Sequence, residues 1–216
     1  MNWWLNNWTQ VAHLASAHLA LSLPAIALSL VIAVPIGRLA FVRPAVGGPF
    51  LNIASLAYAI PALPLLIIVP AVLGVPLRSW QTMVSALTVY GVALLVRSAA
   101  DAFASVDEHT RTAAVALGHS RSALFWKVDL PLATPVIISG LRVVVVSTVS
   151  LVTIGALIGV PSLGSLLTDG FQRGIAGEVW TGVIATVLLA LILDAAVILL
   201  GKILSPWAQL ARGQRA

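Results

Sequence analysis

Residues able to do chemistry are scarce in this sequence, and their placement limits what chemistry is open to it. Cysteine is absent, which removes disulfides, thiolate metal sites and a cysteine nucleophile. The four histidines, His13, His18, His109 and His119, form no cluster with acids inside an apolar run, and neither H-E-x-x-H nor G-x-S-x-G occurs. Metal ligation and an intramembrane hydrolase therefore lack a residue set, and no metal is expected. The phosphate-cradling G-x-x-x-x-G-K-[ST] loop is also missing, since Gly201-Lys202 has neither the required preceding glycine nor a following hydroxyl. The chain should bind no cofactor of its own. One carboxylate, Asp194, lies deep in an apolar run, where charge is costly and normally paired. Arg142, entering a neighbouring run from the same side, is its expected partner in a structural ion pair.

The elements that must position these few residues are set by composition. Of 216 residues, 60% are hydrophobic and 9% charged, too little polar surface to cover a soluble globule. No charged side chain occurs from Met1 to Gly37, from Pro44 to Leu77, or from Val143 to Thr168. A helix needs about 20 apolar residues to cross a hydrocarbon core of about 30 Å. Five spans are predicted, near Leu19–Phe41, Phe50–Leu73, Trp80–Ala99, Val136–Val160 and Val179–Leu204. The runs are continuous instead of alternating, which favours helices over a barrel. The fold class is therefore an all-α membrane protein.

The basic residues set its orientation. With the N-terminus outside, Arg38, Arg43, Arg97, Arg111, Arg121, Lys127, Arg142, Lys202, Arg212 and Arg215 fall on the inner side. Only Arg78 and Arg173 fall outside. The net charge of +5 is thus a topology signal facing lipid headgroups, and nucleic acid is not an expected partner. Residues 1–18 form an extracytoplasmic segment in which Trp3, Trp4, Trp8, Val11 and Ala15 recur at helical spacing. They read as an interfacial amphipathic helix, or else a disordered lead-in. Residues 19–204 are the transmembrane domain, bracketed at its last span by the interfacial anchors Trp180 and Trp207. Residues 205–216 are a cytoplasmic tail.

The most polar stretch, "TAAVALGHSRSALFWKVDLPLATP" from Thr112 to Pro135, lies on the inner side between the third and fourth spans. "DEHTRTAAVALG" opens on acids and closes on glycine, as a helix does. A second helix, "SRSALFWKVDL", follows and should stop before Pro131. Ala113, Ala114 and Leu117 share one face of the first helix; Leu124, Phe125 and Val128 make a stripe on the second. Such an insert, about 107–135, fits either a knob for a groove in another protein or a loop folded on its own membrane face.

The pattern AA-x3-G-x9-V-x-LP, formed by Ala113, Ala114, Gly118, Val128, Leu130 and Pro131, resembles the EAA motif of permease subunits of bacterial ABC importers. The motif's leading acidic residue is Thr112 here. The resemblance implies the type I importer permease fold and a coupling role for Ala113, Ala114, Leu117, Gly118, Leu124, Val128, Leu130 and Pro131 against an ATP-binding cassette subunit, which would hold ATP and Mg²⁺. It further implies a second permease, identical or homologous, and an extracytoplasmic substrate-binding protein. "YAIPALPLL", "LPLATPVIISGLR" and "IGALIGVPSLGSLLTDG" are similar to permeases for osmoprotectants such as glycine betaine, choline and carnitine; a methionine-type permease is the alternative. Pro61 and Pro64 interrupt the second span and mark either a translocation route or plain kinks. Aromatic residues are few in the spans, with Tyr58 and Tyr90 as candidates to meet a quaternary ammonium, short of a cage. Gly155 and Gly159 are spaced for close helix contact, such as a dimer face.

Overall fold

The computed structural model describes residues 3–207; the expected tail from residue 208 onward lies outside them. Helices form almost all of the described chain, in the order α1 (Trp3–Asn6), α2 (Trp8–Val42), α3 (Pro44–Ala59), α4 (Ala62–Leu73), α5 (Trp80–Ala104), α6 (Glu108–Ala116), α7 (Arg121–Leu124), a π-turn (Phe125–Asp129), α8 (Leu130–Val152), a 3₁₀ segment (Thr153–Ile158), α9 (Gly164–Gln172) and α10 (Ala176–Leu204). Four helical runs are long and apolar enough to cross a membrane: α2, α5, the run from α7 through the 3₁₀ segment, and α10. The fifth expected span is the pair α3 and α4.

That span is not one helix. It breaks at Ile60-Pro61, where Pro61 takes an extended conformation and α4 restarts at Ala62. Proline has no N–H to donate and disfavours helix at the residue before it, so the break is dictated by sequence. The first span also differs from expectation. Instead of starting at Leu19 behind a separate interfacial helix, α2 runs unbroken from Trp8, about 52 Å at 1.5 Å per residue. Leu14 and His18 are buried, so tertiary packing recruits residues that composition assigns to the interface.

Packing explains the layout. Fourteen residues of α5 are buried against only three of α10, which makes α5 the central post and α10 the outer wall. Against α5, α2 presents Ser22, Ala25, Ser29, Ala33, Gly37 and Ala40, all buried. Small residues about one turn apart let helix backbones approach closely where no water drives association. A Cβ added at Gly37 would stand 2.6 Å from Ala99 Cβ and 2.8 Å from the Ala100 nitrogen.

The fourth span, expected at Val136–Val160, instead starts at Leu130 and leaves α-geometry after Val152. Two side chains accommodate this change. His18 Nε2 lies 3.0 Å from the Val149 carbonyl, and Ser162 Oγ donates to the Val152 carbonyl at 3.2 Å. A carbonyl left over at a helix end in an apolar surround needs such a partner. The close contact at the Gly155–Gly159 pair is within the chain. Gly155 is buried with Met83 of α5 2.7 Å from its Cβ position, and Gly159 turns the chain at φ +83°.

The α2–α5 seam yields a stability prediction. Gly37→Val should cost about 1–3 kcal/mol by overpacking. Gly48→Ala, with no atom within 4 Å of the added Cβ, should be neutral or slightly stabilising. Thermal unfolding of both variants in detergent checks the contrast.

Candidate functional site

The insert between α5 and α8 is built from local capping signals. Asp107 caps α6, its carboxylate accepting from the Thr110 N–H at 3.3 Å. Desolvation opposes ionisation of that carboxyl, but backbone N–H bonds from His109 and Thr110 prevail and hold it below its ordinary range. At the other end Gly118 takes φ +84°. Its N–H donates to the Val115 carbonyl at 2.9 Å and that of His119 to the Ala114 carbonyl at 3.1 Å, the glycine-stopped helix end. Ser120 then caps α7, accepting from the Ala123 N–H at 3.2 Å. The result is two short helices about a left-handed elbow.

Two expectations for this region are corrected. The second helix does not stop before Pro131: α7 passes through the π-turn directly into α8. The Leu130 N–H reaches back to the Phe125 carbonyl, and Pro131, which has no N–H to donate, sits directly behind this π-turn in the first turn of α8. The insert is therefore welded to the fourth crossing. Nor do Ala113, Ala114 and Leu117 share one face. Ala114 is buried, whereas Ala113 is exposed and Leu117 is 81% exposed. Leu124, Val128, Leu130 and Pro131 are half-buried beneath them. The outward apolar surface of α6 is Val115 and Leu117.

The residue that holds this arrangement was not legible as a site. Asp129, the last residue of the π-turn, is fully buried. Its Oδ1 accepts from Arg111 Nε of α6 at 2.6 Å, and its Oδ2 lies 2.5 Å from Arg38 Nη2 of α2. Arg111 also donates through Nη1 to the Val106 carbonyl at 3.0 Å and through Nη2 to the Phe103 carbonyl, at the end of α5. Phe41, Phe103 and Phe125 surround the Arg38 guanidinium at 5.2–5.6 Å from their centroids. Arg111 lies 4.7 Å from Phe41. One carboxylate thus ties the ends of α2 and α5 and the helix α6 to the start of α8. Its only sequence signal is an acid beside Leu130-Pro131, and both arginines had read simply as topology charges.

The remaining candidates are spread along the bundle. Arg142 of α8 and Asp194 of α10 form a forked pair, Nε to Oδ1 at 2.7 Å and Nη2 to Oδ2 at 2.8 Å. Asp194 is nevertheless not the most deeply enclosed carboxylate, for Asp129 and Glu178 are fully buried. Glu178, in the first turn of α10, lies under α9, with its Cβ 3.0 Å from the Cβ position of Gly170. Tyr58 and Tyr90 meet beside the Pro61 break with ring centroids 5.2 Å apart; Tyr58 is exposed and Tyr90 half-buried. Pro61 and Pro64 are both exposed at the start of α4. This cluster is far from the insert in the chain, linked to it through α5.

Comparison with known proteins places this architecture. The family model described as "Binding-protein-dependent transport system inner membrane component" matches residues 28–209. The osmoprotectant import permease protein OsmW of Salmonella typhimurium is 30% identical, with 95% of this chain and 97% of that protein covered. The glycine betaine/carnitine/choline transport system permease protein OpuCD of Bacillus subtilis is 26% identical over 88% of this chain and 82% of that one. The ergothioneine transport permease/ergothioneine binding protein EgtU of Helicobacter pylori is 36% identical over 67% of this chain. The chain spans only 26% of that relative's length. Among solved structures, an inward-facing methionine ABC transporter, MetNI, superposes with a TM-score of 0.77 at 21% identity, covering 90% of this chain and 96% of that one. An amino acid ABC transporter with histidines gives 0.67 at 16%, covering 92% and 94%. At those identities the structures establish the shared fold.

The buried anchor carries its own prediction. Asp129→Asn leaves Arg38 and Arg111 facing each other without their counter-charge, which should cost about 3–5 kcal/mol. It should also open the segment from Asp107 to Asp129 to limited proteolysis. A double-mutant cycle with Arg111→Met should return a coupling energy above about 1 kcal/mol; purely additive losses would show that the contact is idle.

Proposed function

The chain belongs to the family of binding-protein-dependent transport system inner membrane components, and we propose that it is the permease through which an ATP-driven importer admits a trimethylammonium solute such as glycine betaine, choline or carnitine. One observation carries the substrate class: the permease similar over nearly its whole length is named for osmoprotectants, and others similar over most of theirs are named for glycine betaine, carnitine and choline. Those three solutes, like ergothioneine, contain a trimethylammonium group. The methionine transporters resemble this chain at 21–22% identity, which supports the fold and not the substrate. The Tyr58–Tyr90 pair adds chemistry of the right kind, since aromatic faces attract quaternary ammonium ions. The pair stands where the second crossing is broken, and irregular backbone at membrane depth belongs where it lines a cavity or protein.

ATP is hydrolysed on a separate ATP-binding subunit, with Mg²⁺, and an extracytoplasmic binding protein delivers the solute. The exposed Val115 and Leu117 on α6 form the contact with the ATP-binding subunit, and the Gly118 elbow presents them. A push on α6 passes through Arg111 and Asp129 to the π-turn and α8, and through Arg38 to α2. Ala114 supports this face from beneath. The protein lies in the bacterial plasma membrane, N-terminus outside and C-terminus in the cytoplasm, with a second permease completing the pathway.

Leu117→Asp should abolish co-purification of the ATP-binding subunit and solute-stimulated ATP turnover while leaving membrane abundance normal. Gly118→Val, strained by its positive φ with nothing to clash against, should reduce both partially. Normal coupling in both at normal abundance would defeat the docking assignment.

Uptake in cells lacking other osmolyte importers tests the substrate. Betaine, choline or carnitine should enter, Tyr58→Ala with Tyr90→Ala should reduce that flux at least several-fold, and uptake of methionine alone would overturn the reading. A single cysteine at Arg121 should resist an impermeant thiol reagent in sealed cells, whereas one at Arg173 should react.

A further inference from the structure

A groove of about 970 Å³ runs along the outside of the bundle at the insert end, between α2, α8 and the end of α10. Its walls are apolar: Val31 and Val34 from α2, Ile138 from α8 and Leu204 from α10. Along α2 the lining extends from Leu30 to Val42, about 18 Å of helix. That is close to one leaflet, half of a hydrocarbon core of about 30 Å. The mouth is different in kind. Arg121 and Trp126 come from the insert and Trp207 from beyond α10, and no carboxylate lines any part of the groove. Arg121 is exposed and pairs with no acid among the described residues. Behind the mouth stands the cluster of Arg38 and Arg111 around the single Asp129, which keeps one positive charge in excess.

An apolar trough one leaflet long, opening on an unpaired arginine and two indoles, matches the layout of a phospholipid. From this geometry we infer that the groove is a binding site for an anionic phospholipid of the leaflet on the insert side. Its acyl chain lies along Val31, Val34 and Ile138, and its phosphate sits at Arg121. Indoles at the mouth suit the headgroup boundary, and an arginine fork suits phosphate. The lipid would pack against Phe125 and Trp126 of the π-turn, bracing the segment that joins the insert to α8. This inference stands whether or not the transported solute is the one proposed above.

Native mass spectrometry of the purified full-length chain in detergent tests it, with phosphatidylglycerol and phosphatidylcholine of identical acyl chains added in turn. Phosphatidylglycerol should be retained about tenfold more strongly: both lipids carry a phosphate, but the trimethylammonium of phosphatidylcholine offsets its charge and is repelled by the basic mouth. Arg121→Gln should bring it down to the phosphatidylcholine level. Val34→Trp, which fills the trough, should lower retention of both lipids; Leu204→Trp serves the same purpose if the first variant melts at lower temperature than the parent. Glycerol phosphate, which has the headgroup but no acyl chain, should not compete. Equal retention of the two lipids, or an Arg121→Gln variant that still prefers phosphatidylglycerol, would overturn the site. So would cross-links that place a second copy or residues 208–216 in the groove to the exclusion of lipid.

Discussion

A single buried carboxylate shared by two arginines fixes the geometry at the working end of this permease. Asp129 has no exposure to solvent, and an isolated charge in that position would be unsustainable. Arg38 and Arg111 supply the counter-charges from different helices, and three phenylalanines exclude water around one of them. Because the carboxylate and its two arginines belong to three different elements, the interaction is a joint and not merely a contact. Removing the carboxylate would leave two arginines without their counter-charge, so the ends of α2 and α5 and the insert must keep their register with α8.

The joint is paired with a continuous rod. The π-turn admits a different hydrogen-bonding step without ending the helix, and α7 is thereby in line with the fourth crossing. α6 meets this rod across the Gly118 elbow and through the Arg111–Asp129 pair. Two crossings are interrupted: the second is cut at Pro61, and the fourth loses α-geometry after Val152. Backbone groups freed at the second of these sites are met by His18 and Ser162.

Fold and selectivity separate cleanly in this family. A methionine transporter shares the chain trace at a TM-score of 0.77, while the relatives named for osmoprotectants are distinguished by residue identity. The scaffold sets where helices break, and beside the break in the second crossing Tyr58 and Tyr90 are brought into ring contact.

The crossings, the break at Pro61, the capped insert and its glycine elbow all followed from sequence, because hydropathy, missing N–H groups and positive φ are properties of residues and their close neighbours. The Arg142–Asp194 pair was legible for a similar reason: a lone acid in an apolar run demands a base, and few bases were available. Tertiary structure alone decided that α2 starts at Trp8, that Gly155 packs inward on Met83, that Ala114 turns inward while Leu117 faces out, and above all that Asp129 is the anchor. In sequence Asp129 is one acid in a polar stretch, and its partners stand on α2 and α6. Burial is what turns it into a constraint, and burial depends on which helices meet, a matter that no local pattern of residues records.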